Sequence, residues 1–301
     1  MGESGSGKSV TSEAIMGLHD PARTAVSGSI HLDGEELVGA DEARLRQLRG
    51  QRMAMIFQDP LSSLHPFFTV GDQLVEAARV HQSITGSAAR ARAVEMLQKV
   101  GIPNPRSRID EYPHQMSGGM RQRAMIAMAL INDPDLLIAD EQTTALDVTV
   151  QAQILDLLRS LQAEFGTAIV LITHDLGVVA GMADDVVVMY GARIVEKGDV
   201  RNVFHDPQMP YTWGLLTSLP RLDSERPARM RPIPGTPPSP LQLAPGCVFQ
   251  PRCGFAELVP GGRCARERPE LEEIAAGHAI RCHLEPDVRT RLARERIGAS
   301  T

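Results

Sequence analysis

Between residue 1 and about residue 200, short apolar runs alternate with longer segments that have helical spacing. Ala54–Phe57, Leu136–Ala139 and Ala168–Thr173 are short and apolar, which predicts buried strands. Thr149–Phe165 carries apolar residues three and four positions apart, which predicts an amphipathic helix. Strands that alternate with helices predict an α/β fold, in which helices cover a largely parallel sheet.

Two further patterns flank this predicted sheet. Ser27–Leu37 alternates in polarity around an Asp-Gly turn, which predicts an antiparallel hairpin. Residues 60–132 are mostly helical in pattern, with Gly71–Val80 and Ala88–Val100 as the best candidates. We therefore expect a helical subdomain in this part of the chain.

The pattern changes after residue 204. Eight prolines lie between residues 227 and 251, which predicts an extended linker. A small tail follows that holds all four cysteines, and it ends in a basic, helix-like stretch near Val288–Arg296. We therefore expect a main domain at residues 1–204 and a C-terminal extension at residues 205–301.

Composition and charge narrow the classes of function. Hydrophobic residues make up 43% of the chain and charged residues 23%, which is ordinary for a globular protein. The net charge of −6 offers no electrostatic footprint for nucleic acid, so we expect no nucleic-acid partner. No apolar run approaches the roughly 18 residues of a membrane helix, and the chain does not open like a signal peptide. Any membrane role is therefore expected to act through partner subunits.

The segment Gly2–Ser9 fits the pattern GxxxxGK[ST] of a phosphate-binding loop. Its glycines let backbone N–H groups surround phosphates, Lys8 adds charge near the β- and γ-oxygens, and Ser9 offers a hydroxyl to Mg²⁺. A helix over Val10–Leu18 would point its N-terminus at the anion. The predicted nucleotide-binding residues are Gly2, Ser4, Gly5, Ser6, Gly7, Lys8, Ser9 and Val10. An ordinary glycine-rich turn is the alternative, because only Met1 precedes the loop where a strand is required.

Polar residues follow three of the predicted strands. Asp140 is placed to hold Mg²⁺ through water, and Glu141 to orient or deprotonate an attacking water. Gln58 can reach Mg²⁺ or that water, and His174 can contact a γ-phosphate. The alternatives are a solvated acidic turn and ordinary polar strand ends. The phosphate loop in the same chain favours the functional interpretation.

Ser117-Gly118-Gly119 opens an amphipathic helix that we expect to run to Ile131. Serine is a good N-cap, and glycines expose backbone N–H groups, so the helix start forms a second anion site. An ordinary capped helix is the alternative. Because one nucleotide already fills the phosphate loop, the second site would serve the nucleotide of another subunit. This predicts a head-to-tail dimer with ATP at its interface.

Taken together and in this order, these residues resemble the ABC-transporter ATPase family. The resemblance implies a P-loop NTPase fold, ATP hydrolysis with Mg²⁺ and a sandwich dimer. It also implies that Glu141 is the catalytic base, His174 the γ-phosphate switch and Gln58 a sensor that links Mg²⁺ to the permease contact. The region after Asp59 would receive the coupling helix of the membrane subunit. The residues that it assigns to the ATP of the partner subunit are Ser117, Gly118, Gly119, Gln122 and Asp147.

Within that family the chain is similar to the oligopeptide and dipeptide importer ATPases. The segments that carry this similarity are Ile56–Pro60, Tyr112–Gly119, Thr143–Val150, Thr173–Gly177, Pro210–Thr212, Ile233–Pro237 and Gly246–Cys253. The similarity implies peptide import with two membrane permease subunits and an extracytoplasmic substrate-binding protein. The chain would then lie at the cytoplasmic face of the cell membrane. Nickel importers share much of the pattern and stay an alternative.

Three departures from the family pattern affect these expectations. Gln142 stands where proline usually follows the Asp-Glu pair, and Met116 stands where leucine usually precedes the signature serine. The strands that precede the phosphate loop in the family, with an aromatic residue that stacks on adenine, do not occur here. We therefore expect weak folding and weak ATP binding, and a start site placed too far downstream. A truncated, catalytically weak subunit that serves only as a dimer partner is the alternative function.

The four cysteines of the tail, Cys247, Cys253, Cys264 and Cys282, have the spacing C-x5-C-x10-C-x17-C. Four thiolates suit tetrahedral Zn²⁺ or a [4Fe–4S] cluster, although the spacing is not that of a zinc ribbon. His278 and His283 leave mixed ligation open, and four reduced, buried cysteines are a further alternative. The resemblance to peptide-importer ATPases favours the iron–sulfur cluster, in a structural role.

Overall fold

The computed structural model describes residues 1–57, 63–141, 148–218 and 232–298. The chain divides into two compact units. One contains residues 9–172, and the other joins residues 1–8 to residues 173–301. The first eight residues therefore fold with the C-terminal part of the chain, although they directly precede the other unit in sequence.

A short antiparallel hairpin lies near the start of the unit 9–172. It consists of β1 (His31–Leu32) and β2 (Glu35–Glu36). Asp33 and Gly34 between them have φ values of 51° and 81°, the positive values that a tight two-residue hairpin turn requires. The predicted hairpin around this Asp-Gly pair is confirmed.

The sheet of this unit consists of β3 (Met53–Ile56), β4 (Leu136–Asp140) and β5 (Ala168–Ile172). The three strands are parallel, with β4 in the centre. The three predicted strands are therefore confirmed, and each observed end lies within one residue of its predicted position. Val170 on the outer strand β5 is 40% exposed, whereas the strand β4 is mostly buried.

Helices make up much of the rest of this part of the chain. In chain order they are α1 (Lys8–Ile15), α2 (Glu42–Leu48), α3 (Val70–His81), α4 (Gly86–Lys99), α5 (Pro105–Arg108), α6 (Gly118–Leu130) and α7 (Val148–Phe165). Threonine side chains cap α3 and α4, because Thr69 accepts from the Asp72 N–H and Thr85 from the Ala88 N–H. Helices α3 to α6 form the helical region that the sequence predicts at residues 60–132.

The other unit is built on an antiparallel sheet that the sequence patterns did not predict. Its strands, in the spatial order β6-β7-β9-β8, are β6 (Asp185–Tyr190), β7 (Arg193–Asp199), β8 (Glu272–Ala275) and β9 (His278–Ile280). Met1 continues this sheet beyond β6, because its amino group donates to Val187 O (2.6 Å) and its carbonyl accepts from Met189 N (2.8 Å). The segment that leads into the phosphate loop is thus fixed on β6.

Short helices surround this second sheet. They are α8 (Leu176–Met182), α9 (Val200–His205), α10 (Pro210–Thr217), α11 (Arg263–Arg266) and α12 (Pro286–Gly298), with 3-10 turns at Gln250–Arg252, Ala256–Leu258 and Pro260–Gly262. Val248 and Phe249, at the end of the proline-rich stretch, are buried in the core of this unit. The extended linker expected there is wrong for these residues, because their apolar side chains pack among buried aromatic rings. None of the helices in the described ranges is long and apolar enough to cross a membrane.

Candidate functional site

The predicted phosphate loop leads from Met1, on β6, into α1. Gly2 has a φ of 150°, and a Cβ atom there would collide with Met189 O of β6. Gly7 has a φ of 94°, and a Cβ atom there would lie 3.3 Å from the Ala192 Cα. Both positions therefore require glycine because the loop passes close to β6 and the turn that follows it. The glycines serve the packing of this loop as well as access for a phosphate.

Two side chains of the loop match the chemistry of a bound phosphate. The Lys8 ammonium is buried and donates to Gly2 O (2.9 Å) and Glu3 O (3.1 Å). The Ser6 hydroxyl is buried without a hydrogen-bond partner among the described residues. Buried polar groups rarely stay unsatisfied, and a phosphate oxygen would supply the missing partner. Ser9 and Val10, at the start of α1, are exposed.

Asp140 and Glu141 lie at the carboxyl end of β4, as predicted. Asp140 is buried, and Glu141 is half-buried, with its N–H bonded to Ile172 O at 2.9 Å. Glu141 has a φ of 45°, a left-handed conformation that costs an ordinary residue about 1–2 kcal/mol. Such strain concentrates at functional sites, where the surroundings hold the side chain in one place. Carboxylate oxygens are ligands that Mg²⁺ accepts.

His174 lies just before α8. Its side chain is exposed, whereas Thr173 before it is buried. The next residue, Asp175, caps α8 by accepting from Gly177 N (2.9 Å) and Val178 N (3.3 Å). The cap fixes the backbone on one side of His174 and leaves the imidazole facing outward.

The start of α6 has the geometry that the sequence predicts. The Ser117 hydroxyl accepts from Met120 N at 3.3 Å, and both Ser117 and Gly118 are exposed. A Cβ atom at Gly118 would meet nothing within 4 Å. Local packing therefore does not require glycine at that position. Close approach of an external group to the backbone is a physical reason for it.

Gln122 lies on the inner face of α6. Its side chain is fully buried, and neither end of its amide has a hydrogen-bond partner among the residues that the structure describes. The helical repeat places Gln122 on the same buried face of α6 as Met125 and Ile126. Its contact with a nucleotide of a partner subunit stays a prediction.

The remaining predicted positions divide between the two units. The loop residues Gly2–Lys8 belong to one unit, together with His174. Asp140, Glu141 and Ser117 belong to the other unit. Gln58, Gln142 and Asp147 lie outside the described residues.

The four cysteines are reduced and lie in or against one hydrophobic core cluster. Burial raises the pKa of the Cys253 thiol to about 11 and that of the Cys282 thiol to about 12, which favours neutral thiols. No group of three or more His, Cys, Asp or Glu residues in the described ranges is placed to hold a metal ion. The predicted metal centre at the cysteines is therefore not seen among the residues that the structure describes.

The two histidines proposed for mixed ligation have other partners. The Nε2 atom of His278 lies 2.9 Å from Glu196 Oε1, and that of His283 lies 2.8 Å from Glu267 O. Both imidazoles are therefore held by oxygen atoms of the protein.

Sequence reasoning placed a docking region after Asp59 but did not find the groove beside it. In the unit 9–172 a groove of about 420 Å³ lies between β3 and helices α3 and α6. It is lined mainly by apolar side chains, among them Met55, Ala77, Met125 and Met128. Val80 at this groove is 66% exposed. Such apolar exposure is typical of a surface that another protein covers.

Comparisons with known proteins agree with the motifs. Residues 1–144 match the family described as ABC transporter, and residues 195–258 match the oligopeptide/dipeptide transporter C-terminal region. The oligopeptide transport ATP-binding protein OppD of Mycobacterium bovis is 50% identical over 300 residues, which are 99% of this chain and 47% of OppD. The chain thus spans about half the length of this relative.

A second relative and a solved structure extend the comparison. The dipeptide transport ATP-binding protein DppD of Escherichia coli K12 is 49% identical over 283 residues, which are 94% of this chain and 85% of DppD. The ATP-binding cassette MJ0796, solved as a dimer in a post-hydrolysis state bound to ADP and Pi, is 28% identical with a TM-score of 0.59. That match covers 67% of this chain and 84% of the MJ0796 chain.

Proposed function

The chain belongs to the ATP-binding proteins of ABC transporters, in the branch with the oligopeptide/dipeptide C-terminal region, and we propose that it hydrolyses ATP to energise peptide import. One observation carries this proposal. The loop Gly2–Ser9 keeps the lysine of a phosphate site at the start of α1 and a buried serine hydroxyl that has no hydrogen-bond partner in the described part of the chain. A phosphate group satisfies both. Nickel import is a second candidate from the sequence, but OppD and DppD are named for peptides.

The residues of the chain divide the proposed chemistry among them. Lys8 and the loop N–H groups bind the β- and γ-phosphates and neutralise the charge that develops on them. Ser9 and Asp140 would hold Mg²⁺, which supplies positive charge to the phosphate oxygens when it is bound. Glu141 orients the attacking water and accepts its proton, while His174 donates to the γ-phosphate. Water attacks the γ-phosphorus while the bond between the γ-phosphorus and the bridging oxygen breaks. The products are ADP and inorganic phosphate.

The test of this proposal is the substitution Glu141→Gln. It keeps the shape of the side chain but removes the base, so we expect hydrolysis to fall about 100-fold or more while ATP binding is kept. The matched control is Glu164→Gln on α7, whose carboxylate pairs with Lys99 and should not affect hydrolysis. Unchanged hydrolysis in Glu141→Gln would remove Glu141 from this role. A wild-type chain that binds ATP but does not hydrolyse it would favour the non-catalytic dimer partner instead.

The proposal includes partner subunits. A second ATPase subunit would present Ser117, Gly118 and Gly119 to the ATP of this chain, in a head-to-tail dimer. The apolar groove beside α3 and α6 would receive one helix from one of two membrane permease subunits. The permease subunits work with an extracytoplasmic substrate-binding protein. The dimeric MJ0796 cassette supports the pairing of ATPase subunits. In this arrangement the chain lies peripherally at the cytoplasmic face of the cell membrane.

A structural metal centre at the four cysteines, [4Fe–4S] or Zn²⁺, is the least supported part of the proposal. Its support is that all four cysteines lie in or against one hydrophobic core cluster. Anaerobic purification, an absorption spectrum and iron and zinc analysis test it. We expect one cluster or one zinc per chain, lost in Cys282→Ser. A metal-free chain with a fully folded tail would contradict it.

A further inference from the structure

The second residue of the phosphate loop, Glu3, is held by an arginine that lies 249 positions later in the chain. Arg252 donates from Nη1 to Glu3 Oε2 at 2.7 Å and from Nη2 to Glu3 Oε1 at 3.2 Å. The Arg252 side chain is 5% exposed and that of Glu3 is 28% exposed. A two-pronged contact of this kind fixes the orientation of both groups, which a single charge contact would not do.

Arg252 is itself fixed by its surroundings. Its Nε donates to Pro234 O (2.7 Å), and its two terminal nitrogens also donate to Ile233 O (3.2 Å) and to the Tyr190 hydroxyl (3.3 Å). All three nitrogens of the guanidinium are therefore engaged by protein atoms. These contacts hold the guanidinium in place independently of Glu3.

Aromatic rings enclose this ion pair. The Glu3 N–H donates to the Tyr211 hydroxyl at 2.9 Å, and Tyr211, Tyr190 and Phe249 are packed ring to ring with centroids 4.6 to 5.4 Å apart. All three rings are almost fully buried. Salt therefore screens the pair much less than it would screen a surface ion pair.

Glu3 also contacts the lysine of the loop. Its carbonyl accepts from Lys8 Nζ at 3.1 Å and from Ser6 N at 3.3 Å. Glu3 thus accepts hydrogen bonds from Arg252 at its carboxylate and from Lys8 at its backbone carbonyl. A shift of Glu3 would displace the carbonyl that locates the Lys8 ammonium.

We propose that Arg252 is a positioning residue of the phosphate loop, through which the C-terminal region controls ATP binding. Arg252 acts by holding Glu3, and it does not itself touch the nucleotide. We call the contact between Arg252 and Glu3 the clamp. The proposal rests on the proposed function in one respect: the loop must bind ATP for the clamp to affect ATP affinity. The effect of the clamp on the order of the loop does not depend on ATP.

The first test is a double-mutant cycle on the full chain. Arg252→Gln and Glu3→Gln each remove one partner, and we expect each to weaken MgATP binding by about tenfold, with the double variant no weaker than either. In hydrolysis we expect KM to rise by a similar factor while kcat changes little, because ground state and transition state use the same loop. Arg252→Lys keeps the charge and should restore part of the affinity.

The matched control is Arg289→Gln. Arg289 is equally buried in the same C-terminal region, where it donates to Gln208 Oε1 (3.0 Å) and Leu284 O (3.3 Å), and no hydrogen bond to the phosphate loop is found for it. We expect this variant to lose stability but to bind MgATP within twofold of wild type. Equal ATP affinities in Arg252→Gln and Arg289→Gln, at a temperature where both are folded, would overturn the proposal.

Hydrogen exchange of the nucleotide-free chain supplies a readout that does not need ATP. We expect the amides of residues 3–8 to exchange several-fold faster in Arg252→Gln than in wild type or Arg289→Gln. Failure of wild type to bind ATP would refute the proposed function but not the clamp, which this exchange would still decide. Loop exchange that is the same in all three chains would refute the clamp.

Discussion

At the scale of single residues, Glu196 on β7 is the most deeply buried carboxylate whose partners are seen in the described part of the chain. It is fully buried and accepts from Gln208 N (2.6 Å) and Met209 N (3.3 Å), and its Oε1 lies 2.9 Å from His278 Nε2 on β9. A buried carboxylate is stable only when hydrogen bonds replace its lost water. This contact therefore links the tail strand β9 to β7.

We expect His278→Phe to lower the free energy of unfolding by about 1–3 kcal/mol, because it leaves Glu196 with a missing hydrogen-bond partner in the core. Urea denaturation measures the change. His278→Gln can still donate to Glu196 and should cost less. The control is His283→Phe, because that imidazole lies near the surface against Glu267 O, and we expect a change below about 1 kcal/mol. A loss in His278→Phe no larger than in this control would contradict the role given to the contact.

At the scale of secondary-structure elements, the start of α6 is a capped helix end that is open to the outside. Ser117 caps it, and the glycine that follows is exposed with free space around it. The unpaired N–H groups of a first helical turn attract anions. The proposed dimer therefore depends on the N-terminus of α6.

The variants Ser117→Asp and Ser117→Asn separate the effect of the helix cap from the effect of a negative charge. Both residues are good N-caps, so we expect α6 and the stability of the chain to be kept in both variants. The aspartate places a negative charge where the phosphates of the partner's ATP would lie, so ATP-dependent dimerisation should be lost in that variant only. Sedimentation velocity with and without ATP measures the dimer. Dimerisation of the aspartate variant to the wild-type extent would argue against nucleotide at this position.

The elements also show where sequence patterns were sufficient. The strands β3, β4 and β5 are short apolar runs, and their burial follows directly from that composition. The antiparallel sheet was missed because β8 is exposed along its whole length and β9 has only three residues. Pairing between β7 and β9 joins residues more than 80 positions apart, which no local period reveals.

At the scale of the whole molecule, the parts of the site that could be predicted are those contiguous in sequence. Residues adjacent in sequence indicate the chemistry of the segments Gly2–Ser9 and Asp140-Glu141. Both segments lie at the ends of secondary-structure elements, as expected. The burial of Gln122 could also be predicted, because its spacing to Met125 and Ile126 places it on a buried face of α6. The partner of Glu3 could not be found this way, because the ion pair with Arg252 exists only after the chain has folded.

That ion pair sets a rule for building hybrid proteins from this chain and its relatives. If the loop of one protein is joined to the C-terminal region of another that has no basic residue in the place of Arg252, Glu3 loses the side chain that fixes its orientation. Loss of a hydrogen bond to a charged group costs about 1.5–3 kcal/mol, which is a large share of the stability of an average domain. The loop and the segment around Arg252 therefore have to be exchanged together, as if they were adjacent in the sequence.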